Sequence, residues 1–492
     1  MKKILLFLIF SSLIISCKNK QKSLFTLLSA TETGIDFQNT IIENEQFNLY
    51  DFHNVYNGAG VAIGDINNDN LPDLYFTGNM SGDKVYLNKG DFHFQDITKN
   101  SGIIKQGWST GVTMADVNAD GFLDIYVCKS GNYKGPQRAN QLYINQGGDK
   151  FIESAKQYGL ADTTFSSQAA FFDYDKDGDL DLYLLTTTNL IHNPNQISVP
   201  INDGTGFSPD KLYENIGNGN GSSPRFVDVS IKEGILHDGN GLGLSICDLN
   251  DDGWEDVFVT NDFLPSDLLY INNHNKNGSS PRFTESAKQY FKHHSRFSMG
   301  NDVADFNNDG KMDVMMVDML QSSNEDRKMM TGAGNFQQYE TELQTGYHPQ
   351  FMRNMLHLNL GKTPDGRVLF SEIGQFAGVH ATDWSWAPLF ADFDNDGLKD
   401  LFISNGYLRD ITNLDFISYN VGYEQAGKSD LRHYMIDKSL QLPSMKTKNY
   451  FFKTKTTLLS RMQPKNGLVI HFLFRTVLRT LTWITMETLI WS

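Results

Sequence analysis

A nine-residue pattern, D-x-[DN]-x-D-[GN]-x-x-D, recurs six times along the 492-residue chain, and no other feature limits the fold as tightly. The copies start at Asp65, Asp116, Asp173, Asp248, Asp305 and Asp392. Each is followed at once by an apolar, β-branched or aromatic run, such as Leu74-Tyr75-Phe76, Ile125-Tyr126-Val127 or Leu401-Phe402-Ile403, which reads as a buried strand. The text before the loops repeats as well. Trp108, Phe165, Phe297 and Trp384 stand eight positions ahead of the first Asp, each followed by Ser. Gly60, Gly111, Gly243, Gly300 and Ala387 stand five ahead, where crowded inner strands need small residues.

A second half-repeat fills the space between loops. Val85-Tyr86-Leu87-Asn88, a Gly turn and Phe92 to Thr98 read as strand, turn, strand, and similar text begins at Leu142, Leu212, Leu269 and Met355. Each unit thus supplies four antiparallel strands, a propeller blade, so the fold class is all-β, a β-propeller. The spacing of successive first aspartates runs from 51 residues (Asp65 to Asp116) to 87 (Asp305 to Asp392). The longest interval holds Asn324 to Leu343, polar and helix-compatible, read as an insertion on one face, and a second insertion covers Thr186 to Pro209. Insertions at blade loops are where propellers build recognition surfaces.

The loops are expected to bind calcium. This hard cation takes six to eight oxygens in a flexible shell. Side chains at positions 1, 3, 5 and 9 can converge while position 7 offers a carbonyl. The expected ligands are Asp65, Asn67, Asp69 and Asp73; Asp116, Asn118, Asp120 and Asp124; Asp173, Asp175, Asp177 and Asp181; Asp248, Asn250, Asp252 and Asp256; Asp305, Asn307, Asp309 and Asp313; and Asp392, Asp394, Asp396 and Asp400. Gly makes the sharp turn at position 6, replaced by Asn70 in the first copy. The loop is not an EF-hand, because position 9 is Asp and a strand follows where that motif has a helix and a Glu at position 12. Six such ions would carry twelve positive charges against the formal net charge of −16, so the acidity need not signal a basic partner.

With these residues in view, the chain resembles the FG-GAP/VCBS repeat, the unit of integrin α-subunit propellers. Trp108-Ser109-Thr110-Gly111, Phe297-Ser298-Met299-Gly300-Asn301-Asp302 and Asp383-Trp384-Ser385-Trp386-Ala387-Pro388 resemble more narrowly the bacterial lipoproteins related to cartilage acidic protein. The likeness covers residues 24–453. It implies a seven-bladed propeller with calcium in its hairpin loops and a binding or adhesion role. It also implies, in many members, a C-terminal ASPIC/UnbV module, absent from this sequence.

Both ends read differently. Lys2-Lys3, an apolar stretch over residues 4–15 and Ser16-Cys17 resemble a lipoprotein signal, in which Cys17 is lipidated and anchors the chain to a membrane of the bacterial cell envelope. An ordinary cleaved signal or a single membrane anchor is the alternative. Residues 18–45 read as an N-terminal linker able to contribute a closing strand, and residues 46–453 as the propeller. Cys128 and Cys247 read as free thiols rather than a disulfide. From Thr454 the repeat stops and Glu487 is the sole acidic residue. Read one nucleotide earlier in each codon, residues 483–491 permit Leu-Asp-Asn-Asp-Gly-Asp-Leu-Asp-Leu, another acidic loop. The same shift after Lys453 permits Asn-Lys-Asn-Asn-Phe-Thr-Phe-Lys-Asp-Ala-Thr-Lys. Residues 454–492 are therefore read as an out-of-frame tail that has cost the propeller its last blade. The rival reading is a genuine amphipathic tail, although Arg475 and Arg479 argue against a membrane span.

The acidic balance excludes nucleic acid as a partner, since phosphate binding needs a concentrated basic surface. No H-E-x-x-H motif occurs, Gly60 and its equivalents lack the G-K-[ST] ending of a phosphate loop, and the only paired histidines are His293-His294. The expected role is a non-catalytic binding or adhesion module for glycan or protein partners. The alternative is a propeller enzyme, a polysaccharide lyase or hydrolase, because fold does not settle function. Trp384 and Trp386 read as blade packing before a sugar-stacking platform.

Overall fold

The computed structural model describes residues 24–461 apart from 46, 132–134, 188–195, 218–223, 275–280, 331–335, 365, 426–429 and 456–457. Cys17 and the expected out-of-frame residues 462–492 lie outside the described set. Every repeat unit folds as expected into a four-stranded antiparallel sheet with its strands in chain order, giving a six-bladed β-propeller. Blade one comprises Val61–Gly64, Asp73–Phe76, Lys84–Asn88 and Phe94–Asp96. Blade two starts at Trp108–Ala115, blade three at Ser166–Phe172, blade four at Gly241–Cys247 and blade five at Asn301–Ala304. Blade six comprises Ser385–Ala391, Asp400–Asn405, Tyr450–Lys455 and Leu458–Arg461, so its fourth strand lies past residue 453.

The core is a series of cores between blades, because each sheet is apolar on both faces. Tyr126, Cys128 and Leu142 of blade two pack on Leu182, Tyr213 and Phe226 of blade three. Tyr183 and Leu212 of blade three pack on Val257, Tyr270 and Phe283 of blade four. Near the axis the inner strands approach too closely for a side chain. A Cβ on Gly111 would lie 2.6 Å from the Ser167 carbonyl oxygen, and one on Gly300 2.5 Å from that of Trp386. The small residues five places ahead of the loops are therefore required by contact between neighbouring blades.

In an up-and-down sheet the turn from strand one to strand two lies at one end and the connection from strand two to strand three at the other. All six acidic loops make the first turn, and the long insertions make the second connection, in blades three, five and six. The propeller thus has a loop face and an insertion face. The insertion face carries helices Asn324–Met329, Phe336–Thr345, Leu414–Gln425 and Leu431–Gln441. Among the described residues no helix is long and apolar enough to cross a membrane.

Candidate metal centres

Each acidic loop is folded by its own side chains. In blade three Asp173 accepts the backbone N–H of Asp177 on Oδ1 and of Gly178 on Oδ2, both at 3.1 Å, and Asp177 Oδ1 accepts the N–H of Asp179 at 3.1 Å. Blade one repeats this with Asp65 accepting from Asp69 at 3.1 Å and Asn70 at 2.7 Å. Two residues per loop turn left-handed. Position 6 does so as expected, at φ 100° for Gly178 and 66° for Asn70. Position 4 does so as well, at φ 60° for Lys176 and 56° for Ala119, residues without glycine's freedom that the surrounding hydrogen bonds hold there.

This turn draws the side chains of positions 1, 3 and 5 together. Carboxylate oxygens of Asp173, Asp175 and Asp177 lie within 4.8 Å of one another, as do those of Asp392, Asp394 and Asp396. In the other four loops position 3 is an asparagine; the amide oxygens of Asn67, Asn118 and Asn307 accept the N–H of position 5 at 3.0–3.1 Å, and that of Asn250 is buried without a hydrogen-bond partner. The ninth residue has a further task. Asp181 is buried, accepts the Tyr174 N–H on Oδ2 at 3.3 Å and the Asn215 N–H on Oδ1 at 2.7 Å, and so ties the loop to the third strand. Asp73, Asp124, Asp256, Asp313 and Asp400 do the same with Asn88, Asn145, Asn272, Asn359 and Thr454.

These loops are electrostatically strained. Burial, reinforced by the other loop aspartates, pushes Asp181 up to about 8 and Asp73, Asp124, Asp256 and Asp313 up to about 7. Loop three is the most crowded, since Asp179 is also raised to about 6 by burial and by Asp177, and its Oδ1 is buried without a hydrogen-bond partner. Basic groups lean on several loops: Lys453 on Asp394 and, at 2.9 Å, on Asp396; Lys311 on Asp309 at 2.9 Å; and His274 on Asp252 at 3.0 Å. Converging hard oxygens, carboxylates pushed toward protonation and a buried oxygen with no donor are what a site for a hard divalent cation presents.

The FG-GAP-like repeat profile matches residues 65–127 and 248–316, that is, loops one, two, four and five with their following strands. The chain carries FG-GAP-like repeats. It is 26% identical over 206 residues to cartilage acidic protein 1 of Xenopus tropicalis and 24% identical over 205 residues to the human protein, covering 41% of this chain in each case. The chain spans 28% of the length of these curated relatives. The Vibrio cholerae biofilm matrix protein Bap1 aligns over 72% of this chain and 75% of that one at 10% identity, and its TM-score of 0.25 adds nothing to the fold assignment.

Two elements of the FG-GAP-like unit escaped the sequence reading. One is the bond from the end of strand three to the loop's ninth residue. The other is an Asp or Asn just before strand three that caps the end of strand two. Asp83, Asn140, Asp210, Asp267, Asn354 and Asn449 each accept a backbone N–H there at 2.7–2.9 Å. Asp210 and Asp267, pushed up by burial to about 7 and about 8, are thus structural. The signal was present, six polar residues at one place in the repeat, but a mixed Asp/Asn column reads as surface until its burial is known.

The remaining candidates resolve simply. Cys128 is buried and Cys247 only half-buried, and neither is in a disulfide. Trp384 stacks on Tyr407 at 3.8 Å. Trp386 lines an axial pocket of about 580 Å³, counting solvent at its mouth, with Phe52, Trp108, Thr187, Leu242 and Met299. None of its lining residues is a carboxylate or a histidine. His294 is buried against His348 and helps to seat the blade-five insertion.

Proposed function

We propose that the chain is an exported, calcium-stabilised propeller that acts as a binding or adhesion module for protein or glycan partners, lipid-anchored through Cys17 at the cell envelope. The convergence of Asp173, Asp175 and Asp177 carries the calcium part. Calcium there would be held by positions 1, 3 and 5, with Asp181 bracing the loop and Asp179 at hand. It would supply charge neutralisation and a fixed turn, not chemistry. The division into two faces supports the binding part. With metal on the loop face, recognition falls to the insertion face, where Phe336 is 75% exposed, Phe376 77% and Tyr419 63%. The buried carboxylates of raised pKa, Asp181, Asp210 and Asp267, are committed to backbone N–H groups, which supports a structural rather than a catalytic use of them.

The test has two parts. Calcium should raise the melting temperature and a chelator lower it; no shift and no bound calcium would sink the metal reading. Phe336→Ser, Phe376→Ser and Tyr419→Ser together should abolish retention on immobilised envelope glycans and surface proteins while leaving the calcium-dependent melting temperature unchanged. Retention that survives these changes would move recognition off this face.

A further inference from the structure

Blade six presents a face that every other blade buries. In blades one to five the middle strands oppose two large side chains toward the next blade, and all ten residues are 0% exposed, as in Tyr126 and Leu142 or Phe258 and Leu269. The same pair in blade six is Phe402 and Phe451, and both are partly exposed.

The N-terminal segment stands where the end of a neighbouring blade belongs. Helices Thr98–Ser101, Ala155–Tyr158 and Ser230–Glu233, which follow the fourth strands of blades one to three, end on Gly102, Gly159 and Gly234 in the left-handed conformation. A Cβ on these glycines would lie 2.3, 2.5 and 2.4 Å from the carbonyl oxygens of Phe151, Phe226 and Phe283, in the fourth strand of the next blade. Helix Ala30–Thr33 ends on Gly34 at φ 78°, and a Cβ there would lie 2.3 Å from the carbonyl oxygen of Phe94 in the fourth strand of blade one. Residues 30–34 therefore dock on blade one as the end of a preceding blade would. At the other side, Phe25 meets Phe393, the second residue of loop six, at 5.8 Å, and Phe451 at 5.4 Å. Tyr174, the second residue of loop three, meets Phe283 of the next blade in the same way, at 6.0 Å. Phe25 thus lies beside the fourth-strand position of a blade after blade six, one residue out of step. It stands nine residues before Gly34, where Phe94, Phe151 and Phe226 stand eight before Gly102, Gly159 and Gly234.

We infer that residues 25–34 are the outermost strand and closing helix of a seventh blade, and that its three inner strands are the continuation of this chain in the frame shifted by one nucleotide after Lys453. Residues 25–28 form no strand here because a strand takes its hydrogen bonds from a neighbour. Chain order selects the occupant, since each blade follows directly on the fourth strand of the one before it. The register supports the frame independently. Thr454 donates its N–H to Asp400 at 2.9 Å, where the other five blades use asparagine. The shifted codon at 454 permits asparagine. Strand Leu458–Arg461 becomes Phe-Thr-Phe-Lys, in the style of Phe92-His93-Phe94-Gln95. The acidic loop permitted over codons 483–491 then falls where a seventh blade needs one.

Hydrogen exchange on two full-length chains, the sequence as it stands and one with the frame restored, tests this. Amides of residues 25–28 should exchange freely in the first and about 100-fold more slowly in the second, as strand bonds form. Equal exchange at 25–28 in a restored chain whose first five blades keep their protection would overturn the proposal. Should the restored chain not fold, Phe402→Cys in the present chain decides. The new thiol should react with maleimide far faster than buried Cys128, and equal rates would overturn the proposal.

Discussion

The backbone N–H of Asn272 donates to Oδ1 of Asp256 at 2.9 Å, so the end of strand three holds the last residue of the acidic loop. The Asn272 side chain reaches further, donating to the carbonyl of Tyr174 in the preceding blade at 2.9 Å. Asn145 makes the corresponding bond to Ile66 at 2.8 Å, whereas the Asn359 side chain donates to Met312 within its own blade at 3.2 Å. Asn272→Ala strands a buried carbonyl across a blade interface, at a cost of about 1–3 kcal/mol. Asn359→Ala should cost less. Calorimetric melting of the two variants checks the order; a reversed order would mean that the inter-blade bond contributes nothing.

Calcium should discriminate among loop positions. Asp173→Ala removes the acceptor of two backbone N–H groups and should abolish binding to loop three. Asp175→Asn installs the residue that four other loops already use, so it should weaken binding without abolishing it. An ion present at about 100 times its dissociation constant stabilises by about 2.7 kcal/mol. Asp173→Ala should lose the stabilisation due to loop three, read as the calcium-dependent part of the melting temperature. An unchanged calcium response in this variant would exclude loop three as a site.

Lys453 lies on Asp394 and Asp396, at 2.9 Å from the latter, and occupies the oxygens a cation would need in loop six. Lys453→Met removes this competitor. Calcium titration should show one site that tightens several-fold, with the other loops unaffected.

The contrast between loops and insertions marks how far sequence reaches in this fold. The loops were legible because the same local chemistry recurs six times: a carboxylate that must accept two N–H groups, a left-handed sixth residue and a strand that begins at position 9. The blades followed from the same text, and so did the insertion at Asn324 to Leu343, which forms two helices. Asp181 joins the expected ligands by its charge, and the register adds that each of its oxygens accepts a backbone N–H. The left-handed fourth residue left only a partial mark: it is Asn or Asp in four loops, Asn68, Asp251, Asn308 and Asn395, but Ala119 and Lys176 in the other two. The place of Phe25 was equally hidden, because a lone aromatic gains meaning only from the rings it meets.

Arg296 and Glu342 form a buried two-pronged ion pair at 2.7 and 2.8 Å that ties helix Phe336–Thr345 to the segment entering blade five. Glu342→Ala leaves the guanidinium buried and uncompensated, which is strongly destabilising locally. The insertion lies outside the sheets, so the helix should lose protection from hydrogen exchange while the blades keep theirs. Global melting that falls together with helix protection would show instead that the insertion is part of the cooperative fold.

The buried histidines make stability depend on pH in a direction that can be worked out. Burial holds His294 down at about 3, His357 at about 3 and His348 at about 2; neighbouring histidines and lysines depress His294 and His348 further, and His294, His293 and Arg353 depress His357 against the opposing charge of Glu372. Their unfolded value is about 6.5, so below it the unfolded chain binds protons that the folded chain refuses. Their contribution is therefore fully present above about pH 6.5 and is lost as pH falls toward the folded values. Between pH 7.5 and 5.5 the loss is about 1 kcal/mol for each histidine. Asp210 and Asp267, raised to about 7 and about 8, act in the opposite sense, so the net curve conceals the effect. The comparison that isolates it is wild type against His357→Leu in excess calcium, by urea unfolding at both pH values. The variant should gain about 1 kcal/mol relative to wild type at the lower pH. A difference that does not change with pH would mean that His357 takes up its proton in the folded blade.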